Sequence, residues 1–283
     1  MFEHTIVAAH FASATSPLFA SLEELKARGT RELTLVDVLR SHHASSQSEE
    51  HREEARRRLE EEKTEFERAG FKVNIELRTG QPAHELYTIA RTRGASLILV
   101  GSRGEQYFRE FLRGSTVLQL MRKTTTPTLL EPIEADYRKV RGRGFDHLML
   151  ATDFSRSAGA AESMAVDLAA HAHRIQLVHV VEDDEVDVYG EAAALARARD
   201  ELDAVAQRLP QMQEKPELHV VRGTASTEIR RIAEDRGVTM IVMGKRGNSP
   251  IRELLLGSTT QTVVRYATQS VLVVPQRPLA SQD

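Results

Sequence analysis

The sequence predicts an α/β protein built from two tandem, doubly wound domains, each with a five-stranded parallel sheet. Three observations support this prediction. The chain has 283 residues, enough for about two domains of roughly 150 residues each. Short apolar segments alternate with helical ones, a pattern typical of parallel βαβ units with right-handed crossovers. The second half of the chain also repeats the first, which indicates a duplicated domain.

The repeat has a constant interval of 143 residues. FEHTIVAAHF begins at Phe2 and its counterpart FDHLMLATDF begins at Phe145. Five glycines recur at the same interval, with Gly80, Gly94, Gly101, Gly104 and Gly114 matching Gly223, Gly237, Gly244, Gly247 and Gly257. A solenoid is excluded because its repeats have about 20–45 residues. We therefore predict domains at 1–135 and 145–283, joined by a charged, glycine-containing linker at 136–144.

Each copy is expected to alternate strands and helices. In the first copy the strands are predicted at Thr5–Ala9, Leu33–Val38, Val73–Leu77, Leu97–Val100 and Thr128–Leu130, with helices near Pro17–Arg28, Glu49–Ala69, Pro82–Arg93 and Ser115–Arg122. In the second copy the strands are predicted at Leu148–Ala151, Ile175–Val180, Leu218–Val221, Thr239–Met243 and Val271–Val274. Sheets of this kind bind ligands beyond the carboxyl ends of their strands, where the strand order reverses. The residues just after the first and fourth strands are therefore the first candidates for a functional site.

Composition excludes several classes of function. The chain carries 38 Lys and Arg against 41 Asp and Glu, a net charge of −3, which argues against a protein built mainly to bind nucleic acid. It contains no cysteine, so disulfides, thiolate metal sites and a cysteine nucleophile are excluded. Its apolar runs fall far short of the ~20 residues of a membrane-spanning helix, and its N-terminus does not resemble a signal peptide. We expect a cytoplasmic protein that binds neither membranes nor nucleic acid.

A glycine-rich loop follows the fourth strand of both copies with the same spacing, G-x2-G-x9-G-S. It comprises Gly101, Gly104, Gly114 and Ser115 in the first copy and Gly244, Gly247, Gly257 and Ser258 in the second. Glycines let a backbone approach a ligand without interference from a Cβ. The Gly-Ser pair begins a helix whose unpaired N–H groups and positive dipole end attract an anion.

Positive charge is expected beside both loops, from Arg103 in the first copy and from Lys245 and Arg246 in the second. Neither loop has the Walker or the dinucleotide-binding pattern. A purely structural interpretation is that the glycines form tight turns and the serines cap helices. The identical spacing of two loops at one topological position favours a phosphate-binding site instead.

Each half resembles a universal stress protein domain, and the whole chain resembles the tandem members of that family. The resemblance depends on the loop just described and on the ATDFS run at Ala151–Ser155. It implies Rossmann-like domains with strand order 3-2-1-4-5 and a bound ATP whose phosphates could also hold Mg²⁺. It further implies that the last strands join the two copies as a pseudo-dimer within the chain, while homodimer formation is left open.

The resemblance also assigns candidate binding residues. In the second copy, nucleotide contacts are implied for Ala151, Thr152, Asp153, Val180, Met243, Gly244, Arg246, Gly247, Gly257, Ser258 and Thr259. In the first copy, a weaker site is implied at Ala9, His10, Val38, Gly101, Arg103, Gly104, Gly114, Ser115 and Thr116.

The two copies differ at one candidate ligand contact, where the first has His10 and the second has Asp153. A carboxylate accepts hydrogen bonds from ribose hydroxyls, whereas a neutral imidazole offers one acceptor nitrogen. Losing a charged hydrogen bond costs about 1.5–3 kcal/mol. We therefore expect the second copy to bind ATP more strongly than the first.

Three functions are compatible with these features. The first is an ATP-binding regulatory protein of the stress response. The second is a slow ATP hydrolase or an adenylating enzyme, although the acidic residues of the loops, Glu105, Glu110 and Glu253, match no catalytic role and no catalytic residue is predicted. The third is an interaction scaffold that binds no nucleotide.

Overall fold

The chain folds into two units, Met1–Val140 and Arg141–Asp283, each organised around its own set of parallel strands. The computed structural model describes residues 1–8, 17–39, 47–101, 115–132, 144–247 and 256–276. The division between the units falls within the predicted linker, of which residues 136–143 lie outside the described ranges.

The first unit alternates strands and helices as predicted. Its described elements are β1 (His4–Ala8), α1 (Pro17–Ala27), β2 (Glu32–Leu39), α2 (Gln47–Arg68), β3 (Lys72–Thr79), α3 (Pro82–Thr92), β4 (Leu97–Gly101), α4 (Ser115–Lys123) and β5 (Thr128–Glu131). All neighbouring strands pair in parallel, in the order β3-β2-β1-β4-β5. The predicted strand order 3-2-1-4-5 is therefore confirmed.

The second unit repeats this topology. Its described elements are β6 (His147–Ala151), α5 (Gly159–Ala169), β7 (Arg174–Val181), α6 (Asp183–Tyr189), α7 (Glu191–Ala206), β8 (Glu217–Arg222), α8 (Ala225–Asp235), β9 (Met240–Gly244), α9 (Ser258–Tyr266) and β10 (Ser270–Val274). The parallel order is β8-β7-β6-β9-β10. Two helices follow β7, whereas α2 is the helix that the described residues show between β2 and β3. Gly190, with φ 77°, separates α6 from α7.

Burial of both faces explains why these strands are continuous apolar runs. Every residue of β4, β6, β9 and β10 is buried, as expected where helices cover both sides of a parallel sheet. In each unit the strand order reverses between the first and fourth strands, and sheets of this kind bind ligands beyond the carboxyl ends of those strands. None of the helices in the described ranges is long and apolar enough to cross a bilayer.

Near the amino ends of β6, β7 and β8, the side chain of one glutamine is hydrogen-bonded to two histidines. The Gln176 amide nitrogen donates to His147 Nε2 over 2.9 Å, and His219 Nε2 donates to Gln176 Oε1 over 2.6 Å. Burial lowers the pKa of both imidazoles, because the charged form loses hydration. Protonation of His147 would also remove the acceptor that Gln176 requires.

We expect this arrangement to make the second unit sensitive to acid. A histidine with a lowered folded-state pKa contributes stability above its unfolded pKa of about 6.5, and that stability is lost as the pH falls through the folded value. His219→Gln removes one titrating group and keeps a donor for Gln176. Urea unfolding at pH 7.5 and pH 5 should show that wild-type protein loses up to about 1 kcal/mol more stability than the variant. Equal losses in both proteins would contradict this expectation.

Candidate functional site

A cleft of about 770 Å³ opens at the carboxyl ends of β6, β7 and β9. Every residue that the sequence predicted for the second-copy site lines it, namely Ala151, Thr152, Asp153, Val180, Met243, Gly244, Arg246, Gly247, Gly257, Ser258 and Thr259. Its size lies within the range of about 300–1,000 Å³ that is usual for small-molecule sites. The fold thus brings four separate sequence segments to one place.

Backbone hydrogen bonds hold the two parts of the glycine loop together. Lys245 N donates to Val274 O over 2.8 Å, and Gly257 N donates to Lys245 O over 3.0 Å. The buried hydroxyl of Thr260 donates to Gly244 O over 2.9 Å. The first of these bonds fastens the loop to the end of β10, and the other two fasten it to the start of α9, although the segment 248–255 lies outside the described residues.

Helix α9 presents its N-terminus to the cleft. The helix begins at Ser258, and its N-cap residue Gly257 makes no side-chain capping hydrogen bond. The first N–H groups of a helix have no partner within the helix, and the helix dipole adds positive potential there. Arg246 lines the cleft beside this helix end. The arrangement is suited to an anion such as phosphate.

The Asp153 carboxylate lies directly against the glycine loop. Its Oδ1 accepts a hydrogen bond from Ser155 N at 3.2 Å. Its Oδ2 occupies the space that a Cβ on residue 247 would need, so only glycine fits there without a shift. An anion-binding helix end and an acceptor for hydroxyl groups therefore face the same cleft.

The backbone next to Asp153 has an unusual conformation. Phe154 has φ 57° and is the only residue other than glycine with positive φ in the described part of the chain. This conformation costs roughly 1–2 kcal/mol for an L-residue. The Phe154 ring stacks on the His179 ring with centroids 4.5 Å apart. His179, which is 3% exposed, donates from Nδ1 to Thr152 O over 2.9 Å.

The other wall of the cleft comes from α6 and α7, for which the sequence offered no motif. Tyr189 and Arg197 line the cleft and make a cation–π contact, with the guanidinium 4.9 Å from the ring centroid. Glu182 accepts a hydrogen bond from Ala225 N at 3.1 Å and so occupies the N-terminus of α8. Because Tyr189 and Arg197 reach the cleft only through helix packing, local sequence patterns could not identify them, whereas Glu182 directly follows β7.

The position of the Lys245 side chain differs from the expectation. The sequence suggested that it lies with Arg246 beside the phosphates, but it is 6% exposed and is not among the residues that line the cleft. Burial, with a smaller contribution from Arg246, lowers its pKa to about 8. Of the two adjacent cations, Arg246 is therefore the one that faces the cleft.

The first-copy candidates are only partly within the described residues. Ala9, His10, Arg103, Gly104 and Gly114 lie outside them. The remaining four are placed near the corresponding sheet edge, with Val38 at the end of β2, Gly101 at the end of β4, and Ser115 and Thr116 at the start of α4. The weaker first site stays a prediction.

Comparison with known proteins agrees with the duplicated fold. A model of the universal stress protein family matches residues 1–131 and 144–275. A universal stress protein from Methanocaldococcus jannaschii is 26% identical over 156 residues, which cover 47% of this chain and 96% of that protein. Universal stress protein YxiE of Bacillus subtilis is 35% identical over 72 residues, covering 25% of this chain and 49% of YxiE.

The fold is shared over the whole length with a solved structure. A universal stress protein from Archaeoglobus fulgidus superimposes with a TM-score of 0.73 and 23% identity, covering 98% of this chain and 99% of that one. At this identity the likeness concerns the fold.

Proposed function

Because the chain belongs to the universal stress protein family, we propose that its second unit binds ATP and that the protein acts as a nucleotide-dependent regulator of the stress response. The observation that carries this proposal is the placement of the Asp153 carboxylate against Gly247 at the N-terminus of α9.

Each part of ATP has a matching group in the cleft. The phosphates would lie at the first amides of α9, where the helix dipole favours negative charge, with Arg246 adding a cation. The Asp153 carboxylate would accept hydrogen bonds from ribose hydroxyls. The base would lie near Val180 at the end of β7.

Any Mg²⁺ is proposed to be held by the phosphates of the nucleotide. Among the residues that the structure describes, no group of three or more His, Asp or Glu side chains is arranged to hold a metal ion. Mg²⁺ commonly binds through substrate phosphates and few protein ligands. In that position it would offset the repulsion between the triphosphate and the acidic side chains of the cleft.

The first unit is proposed to bind ATP more weakly. In the aligned sequences His10 stands where the second unit has Asp153, so the acceptor for the ribose would have no charge.

The cytoplasm is the expected location of the protein.

Isothermal titration of the full chain with ATP and Mg²⁺ tests the proposal. We expect one strong site per chain, and Asp153→Asn should weaken that site about tenfold, because an amide replaces the charged acceptor while the shape is preserved. Asp167→Asn, an exposed change on α5, is the matched control and should bind like wild type. Absence of binding would overturn the proposal, and steady phosphate release during the titration would indicate a hydrolase instead.

A further inference from the structure

A chain of hydrogen bonds connects the segment that carries Asp153 to helix α5. Phe154 N donates to Thr152 Oγ1 over 3.0 Å, and the same hydroxyl donates to Glu162 Oε1 over 2.8 Å. Both side chains are buried. The Thr152 hydroxyl therefore acts as acceptor on one side and as donor on the other, and its single proton is directed at Glu162.

Glu162 is in turn held by a cation at the surface. Its Oε2 lies 2.9 Å from Arg208 Nη1, and the side chains are 10% and 46% exposed, respectively. A buried carboxylate requires such partners, since an uncompensated charge would be costly. With one oxygen paired to Arg208 and the other facing Thr152, the carboxylate has a defined orientation.

The other polar groups of Thr152 are also bonded. Its N–H donates to Val178 O over 3.1 Å, and its carbonyl accepts from His179 Nδ1. The bond from Phe154 N to the hydroxyl therefore keeps the positive-φ turn in place once β6 has ended. Asp153 lies between Thr152 and Phe154 in this turn, so that the direction of its carboxylate depends on it.

We propose that Glu162 is a positioning residue for the nucleotide site, acting through Thr152 and Phe154 to hold the Asp153 carboxylate against Gly247. This inference rests on the proposed function, since it concerns the affinity of the same site. Without the acceptor on Glu162, the Thr152 hydroxyl can rotate and the turn loses one of the bonds that offset its strained backbone.

The sequence of the first copy is consistent with this role. At the 143-residue interval, Ala9 replaces Thr152, His10 replaces Asp153 and Phe19 replaces Glu162. The first copy therefore lacks the carboxylate acceptor and also both side chains that are proposed to position it. In this proposal, a positioning carboxylate like Glu162 is needed only in the copy that has an aspartate after the first strand of its sheet.

The test compares ATP affinity and thermal stability of full-length variants. Glu162→Ala should bind ATP about tenfold more weakly than wild type, whereas Glu162→Gln, which keeps an acceptor for Thr152, should bind within about twofold. Asp167→Ala removes an exposed acidic side chain from the same helix and serves as control. If Glu162→Ala does not fold, Thr152→Val, whose side chain is similar in volume, removes the hydroxyl that links Phe154 N to Glu162 and should show at least the same loss.

A double-mutant cycle separates positioning from general damage. In an Asp153→Ala background the Glu162→Ala change should no longer affect ATP affinity, because the carboxylate that it positions is absent. A loss of similar size in both backgrounds, or wild-type affinity of Glu162→Ala alone, would overturn the proposal.

Amide hydrogen exchange of the ligand-free protein tests the same link without nucleotide. The Phe154 amide should exchange faster in Glu162→Ala than in wild type or Glu162→Gln. If the Phe154 amide exchanges faster in Glu162→Ala but wild type binds no ATP, the proposed function is overturned. The role of Glu162 in holding the turn would still be supported. Unchanged exchange would overturn the inference even if wild type binds ATP.

Discussion

The Gly247→Ala variant should bind ATP roughly 100-fold more weakly than the unchanged protein while keeping nearly the same stability. A Cβ at this position collides with Asp153 Oδ2. The colliding atom is the end of a side chain, so the aspartate can rotate away without disturbing the sheet. The carboxylate then leaves the cleft, and the methyl group also occupies space that the ligand needs.

Isothermal titration and thermal unfolding of the same samples measure both parts of this expectation. Gly159→Ala is the matched control, because a Cβ there meets nothing within 4 Å and the φ of Gly159 is not in the left-handed region. That variant should bind ATP like wild type. Unchanged affinity of Gly247→Ala would show that the Asp153 carboxylate does not contact the ligand, and a large fall in stability would show that the loop cannot adjust as described.

Replacing Glu62 with glutamine should stabilise the first unit at neutral and alkaline pH. Glu62 lies on α2, and burial raises the pKa of its carboxyl to about 8, with a further contribution from the Asp37 carboxylate. Its buried Oε2 makes no hydrogen bond within the described residues. The ionised form is therefore poorly accommodated in the folded chain.

The direction of the pH dependence follows from the raised pKa. The contribution of the Glu62 carboxyl to the free energy of unfolding is fully present below its unfolded pKa near 4.5. It is lost as the pH rises towards 8, at about 1.4 kcal/mol per pH unit. Glutamine does not titrate, so the difference in unfolding free energy between Glu62→Gln and wild type should grow from near zero at pH 4 to several kcal/mol at pH 9. Urea unfolding across this range measures it.

A control for this effect is available on the same helix. Glu61 is exposed and pairs with Arg57 at 3.7 Å, so Glu61→Gln should change the free energy of unfolding by less than about 1 kcal/mol. A difference between Glu62→Gln and wild type that does not vary with pH would contradict the assignment of a raised pKa to Glu62.

The second-copy candidates could be predicted because most of them lie at the end of a strand or just after it. Asp153 comes after β6 and Gly244 ends β9, and strand ends can be located from local apolar patterns. In parallel sheets the carboxyl ends of the strands meet at one edge. Residues that follow the carboxyl ends of neighbouring strands therefore lie close together in space.

The same reasoning fails where orientation or helix packing decides. Lys245 and Arg246 are neighbours in sequence, yet one is buried and the other lines the cleft. His179 and Arg197 reach the cleft through the placement of β7 and α7. A local sequence pattern does not predict which face of a helix packs against which strand end.

The duplicated α/β architecture and the segments that form the cleft could be predicted from the chain alone, because apolar alternation and the 143-residue repeat are visible in the residues. The strand order was implied by the resemblance to a known family. The contact of Asp153 with Gly247 and the hydrogen bond from Thr152 to Glu162 are visible only in the folded chain. These contacts depend on how loops and helices pack on the sheet, and buried polar groups are paired only once that packing is complete.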